Sequence, residues 1–114
     1  MKQTGADEKQ LIDEAVQLLS ERRRSEKNML PVLKEKVPGY SDSQYVAVYT
    51  RVETLFDTAC KLVFQWTTEN PPGAIFELPD RDRVFVDELT KRCEGFSEIE
   101  YNAALAYAFE MTIF

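Results

Sequence analysis

The sequence predicts an all-α protein, a compact bundle of about four main helices. Three observations carry that prediction. Apolar residues recur at intervals of three and four through long stretches. Two serine-led capping boxes mark helix starts. Strand-like patterning is confined to residues 74–86, where a short β-hairpin competes with helix. With 114 residues, 44% of them apolar and 30% charged, one folded domain over residues 1–114 is the default expectation.

The first helix is expected from about Asp7 to about Asn28. Leu11, Ile12, Ala15, Val16, Leu18 and Leu19 form one apolar stripe, and Asp7 with Gln10 reads as a cap for its first turn. Beyond Leu19 the stripe gives way to ERRRSEKN. The Arg22-Arg23-Arg24 cluster there, hemmed by Glu21 and Glu26, reads as a solvated helix end rather than an anion site. Pro31 is placed at the first position of a short helical turn reaching Lys36, where its missing N–H costs nothing.

The second main helix starts with the clearest local signal. Ser41 and Gln44 make a capping box, while Tyr40 and Tyr45 occupy the two positions of a hydrophobic staple. From there Tyr45, Tyr49, Val52, Phe56, Ala59, Val63 and Trp66 alternate spacings of four and three up to about Glu69. Val46, Val48, Leu55, Cys60 and Leu62 widen the seam into a broad face, which points to the central helix of a bundle. Asn70-Pro71-Pro72-Gly73 ends it.

Residues 74–86 read two ways. AIFEL and RVFV around PDRD suit a hairpin; alternatively Asp80 caps a third helix from about Arg81 to Glu94, with Val84, Phe85, Leu89 and Cys93 facing a core. The helix is the preferred reading, since a lone two-stranded hairpin is marginal. A second capping box, Ser97 with Glu100, and a second staple, Phe96 with Tyr101, then open a final helix running to about Phe114. GYSDSQYVA and GFSEIEYNA thus echo each other at a separation of 56 residues. Two independent uses of good capping chemistry are the first explanation, and a duplicated helical hairpin is the alternative.

The final helix is apolar almost all round. Ala104, Tyr107, Ala108 and Met111 share one side, expected to pack within the chain. Leu105, Phe109 and Ile113 form a second row needing its own partner. That row is the candidate self-association surface of a homodimer.

Composition removes several chemistries. There is no histidine, so Ser–His and Cys–His nucleophiles are absent. Cys60 and Cys93 are far apart in sequence and read as small buried hydrophobes rather than a disulfide or zinc ligands. Four glycines and no phosphate-loop pattern leave nothing to cradle a nucleotide. Glu53 and Asp57 stand at i, i+4 but are continued by Lys61, a charge ladder rather than a magnesium site. No cofactor, no metal and no enzymatic activity are expected. The net charge is −6, and no Lys or Arg follows Arg92, whereas Glu94, Glu98, Glu100 and Glu110 do. That excess opposes nucleic-acid binding. With neither a secretory signal nor a membrane span expected, the cytoplasm is the expected compartment.

The function expected on these grounds is non-catalytic: an interaction protein meeting a basic protein surface through Glu94, Glu98, Glu100 and Glu110, and self-associating. A small-molecule module with an aromatic-lined pocket inside the bundle is the alternative, and a magnesium-dependent phosphate-ester hydrolase the second alternative.

Overall fold

The computed structural model describes residues 5–21 and 26–112. They form five helices: α1 (Gly5–Glu21), α2 (Glu26–Lys36), α3 (Asp42–Glu69), α4 (Arg81–Arg92) and α5 (Glu98–Thr112). A 3₁₀ turn over Ala74–Glu77 lies between α3 and α4. There is no strand among the described residues, so the all-α class holds. Residues 74–86 are turn and helix rather than hairpin.

The first helix differs from expectation at both ends. It already includes Gly5, ahead of the expected cap Asp7, and Asn28 lies in α2. The Arg22-Arg23-Arg24 cluster lies outside the described residues. Pro31 sits in the interior of α2 rather than opening it. It therefore removes one i→i−4 hydrogen bond from this helix, and the buried Met29 and Leu33 on either side anchor the segment.

The chain divides into two compact units, Met1–Glu53 and Thr54–Phe114, with the boundary inside α3. In the first unit α1 packs on α2. Its core holds Leu11, Ala15, Leu19, Met29, Leu33, Tyr45, Val48, Tyr49 and Val52. In the second unit α4 packs on α5. Leu55, Phe56, Ala59, Val63, Ile75, Phe85, Val86, Leu89, Tyr101, Ala104, Leu105 and Ala108 are buried there. Aromatic rings meet edge to face, with Phe56 against Tyr107 at 5.4 Å and Phe85 against both Trp66 (6.4 Å) and Phe109 (5.7 Å).

Both capping boxes form. The Ser41 amide donates to Gln44 Oε1 at 2.8 Å and the Gln44 amide to Ser41 Oγ at 3.2 Å. The Ser97 amide donates to Glu100 Oε1 at 2.8 Å and the Glu100 amide to Ser97 Oγ at 3.2 Å. Both staples form too, with Tyr40 on Tyr45 at 5.8 Å and Phe96 on Tyr101 at 5.9 Å.

The echo reaches further than the capping letters. Tyr45 donates its hydroxyl to the Val37 carbonyl at 2.7 Å, and the Tyr40 amide donates to the same hydroxyl at 3.4 Å. Tyr101 does the same with the Cys93 carbonyl at 2.7 Å and the Phe96 amide at 3.4 Å. The preceding helices close alike, Val37 donating to Leu33 O at 2.8 Å and Cys93 to Leu89 O at 2.7 Å. Gly39 (φ 107°) and Gly95 (φ 97°) turn the chain in the left-handed region. At Gly39 nothing stands within 4 Å of where a Cβ would go, so the backbone angle alone demands glycine. Core positions keep the same register, with Met29, Leu33, Tyr45, Val48, Tyr49 and Val52 matching Phe85, Leu89, Tyr101, Ala104, Leu105 and Ala108. Helix, turn and helix are one structural module present twice.

Equivalent residues should therefore cost equivalent amounts. Ser41→Ala and Ser97→Ala are each expected to destabilise by about 0.5–2 kcal/mol. Tyr45→Phe and Tyr101→Phe should each cost about 1–3 kcal/mol, because a buried carbonyl loses its donor. Urea unfolding followed by circular dichroism measures all four. A serious mismatch within either pair would show that the two turns are not energetically alike.

Candidate functional site

The second unit carries an open groove of about 790 Å³. One wall is the turn before α4, with Ile75, Phe76, Leu78 and Asp80, together with Arg81, Asp82, Arg83 and Val86 of α4 itself. The other is a stripe of α5: Glu98, Asn102, Leu105, Ala106 and Phe109. The volume falls in the range of ligand-binding clefts.

Local backbone shapes the first wall. Asp80 holds the N-cap position of α4, as expected, but makes no side-chain cap hydrogen bond. Its backbone is left-handed (φ 52°, ψ 41°), whereas a capping residue needs the extended region. The carboxylate lines the groove instead.

Two arginines line the groove, and each has a carboxylate near it. Arg83 pairs with Asp87 at 3.2 Å and with Glu98 at the start of α5. Arg81 lies over the Phe109 ring, its guanidinium carbon 4.8 Å from the centroid. Its Nε is 3.5 Å from Asp82 Oδ1 yet buried with no hydrogen-bond partner. The aromatic contact and the desolvated donor oppose each other at this residue.

The residues expected from sequence to form a site fall into different places. Glu94 is exposed just beyond α4, and Glu110 is exposed on α5. Glu98 is exposed and shared with Arg83. Glu100 is only 3% exposed, its carboxylate turned onto the Ser97 amide, so it serves the helix start rather than a partner. Leu105 is 2% exposed and is no open patch. Phe109 is half-buried between Phe85 and Arg81, and Ile113 lies outside the described residues. Met111, placed by the helical wheel on the packed side, is 62% exposed. The reason is α4: once residues 81–92 are helix packed on α5, Phe85 supplies the second partner that Phe109 lacked in the sequence reading. Cys60 and Cys93 form no disulfide and are half-buried rather than buried.

Arg81, Arg83, Phe76, Asn102 and Ala106 were not singled out beforehand. The signal available was PDRDR, alternating charges set between the apolar AIF and VFV. Among the described residues no three acids or cysteines gather as metal ligands. No helix among them is long and apolar enough to cross a membrane. Compared with known protein families, curated proteins and solved structures, the chain matches none of them.

Arg81→Met keeps the packing on Phe109 and removes the desolvated Nε donor, which costs about 1–3 kcal/mol when unsatisfied. Stability in urea is expected to hold or rise. A clear loss would mean that the guanidinium–ring contact and the Asp82 pair together outweigh that cost.

Proposed function

We propose that this protein is a non-catalytic interaction module that meets a basic protein surface through its second unit. One observation carries the reading: the second unit holds eleven acids and five bases, and the first nine of each, so the net charge of −6 belongs wholly to the unit with the groove. Four arginine–carboxylate pairs involve Arg81, Arg83 and Arg92 within that unit. Glu77, Asp80, Glu94 and Glu110 are exposed in the same unit, and Asp80 lines the groove. A field of one sign speeds encounter with a complementary surface, and a partly apolar contact then slows release. A small-molecule reading draws on Phe76 and Phe109 in the groove, but the space is open at the surface rather than enclosed among aromatics. Self-association through α5 is part of the proposal, now through Ile99 (81% exposed) and Met111 rather than Leu105.

The double variant Glu94→Lys/Glu110→Lys tests the charge reading. Wild-type protein on beads should capture a basic protein from its native host. The variant should lose it, and so should wild type at high salt. Capture that ignores both changes would overturn the reading. For self-association, light scattering at high micromolar concentration should give at least a dimer; a monomer there removes that part.

A further inference from the structure

We propose that the groove of the second unit is the docking site for a basic amphipathic helix of about three turns. This rests on the interaction reading above and adds the place and form of the contact.

The form follows from α5. Glu98, Asn102, Leu105, Ala106 and Phe109 are spaced four, three, one and three apart, so they make one stripe along the helix. At 1.5 Å per residue that stripe is roughly 16 Å long, three turns of a partner lying beside it. Ala106 is exposed at its middle, and so small a side chain lets another backbone come close. Strand addition has nowhere to attach, since no strand edge exists among the described residues.

The anchors are apolar. Phe76 is 57% exposed at one wall, and Phe109 stands at the other with Ile75 and Leu105 behind. A helix with large apolar residues at i, i+3, i+4 and i+7 would place them there.

The charge follows from what the groove's arginines already do. Arg83 pairs with Asp87 and Glu98, Arg81 stands by Asp82 and the Phe109 ring, and the groove lining carries three acids, Asp80, Asp82 and Glu98, against these two arginines. Asp80 lines the groove without capping α4. Glu77 and Glu110 are exposed one residue beyond Phe76 and Phe109. Lysines or arginines flanking an apolar stripe complement this rim.

The test uses the full chain and a fluorescein-labelled synthetic Leu/Lys peptide of about fourteen residues, with leucines at i, i+3, i+4 and i+7. A scrambled peptide of the same composition and a Leu/Glu peptide of the same pattern accompany it. Anisotropy should show the patterned Leu/Lys peptide binding about tenfold tighter or better than the scrambled one. Ala106→Arg and Asn102→Arg, both at exposed positions and checked for fold by circular dichroism, should each weaken it by about tenfold or more. Glu35→Lys in the first unit makes a larger charge change, +2 against +1, and should leave binding within about twofold. Equal binding of patterned and scrambled peptides, or equal loss in Glu35→Lys, would overturn the groove and leave the acidic-surface reading standing. Tighter binding of the Leu/Glu peptide would overturn both. If none of the peptides binds, the groove inference falls, and capture from the host still decides the broader reading.

Discussion

Each tyrosine hydroxyl that joins the end of one helix to the start of the next governs the rest of this structure. Tyr45 and Tyr101 are buried, and each hydroxyl donates to a carbonyl eight residues back while accepting from an amide five residues back. A buried hydroxyl is tolerated when its hydrogen-bonding capacity is used, and here the partners belong to the backbone of the turn itself. The same ring completes the staple, so one side chain ties a helix C-terminus, a left-handed glycine and a helix N-terminus into one rigid corner. In the second unit this corner sets α5 against α4, and the groove is the space left between α5 and the approach to α4.

The two modules share this frame and differ in what they display. Where the second unit has Asn102, Ala106 and Phe109, the first has Val46, Thr50 and Glu53 at the equivalent positions. The buried register tolerates little change, because volume and shape are constrained on all sides. Exposed positions on the same helices are free to diverge, and they have: one unit is electrically balanced and the other carries the whole excess of acid. The difference between the two copies of the repeated frame thus lies in their exposed surfaces.

Within the groove, charged and apolar side chains stand side by side. Arg81 stacked on Phe109 keeps a cation over a ring in place of water, and Arg83 bridges α4 to the first turn of α5. Glu98 also sits where the α5 dipole is positive, so its carboxylate is favoured there with or without a partner. The lining thus holds three acids, Asp80, Asp82 and Glu98, against Arg81 and Arg83.

Much of this was legible in the chain. The fold class, the extent of α3, both serine caps and the glycine turns follow from short-range chemistry, in which each group meets a partner within a few residues. Asp80 was read correctly as the residue before α4 but not as a non-capping one, since its left-handed backbone is imposed by the turn before it. The fate of the last helix was beyond reach for a different reason. Composition showed that α5 has two apolar sides, but not that Phe85 would meet Phe109, that Glu100 would be buried in its own cap, or that Arg81 would lie across an aromatic ring. Those are contacts between residues 15 to 28 positions apart or choices between equivalent carboxylates, settled only when α4 packs on α5. The sequence by itself determined where the helices begin and which faces are apolar. The tertiary structure alone decided which of those faces is covered, because coverage depends on distant partners rather than on local spacing.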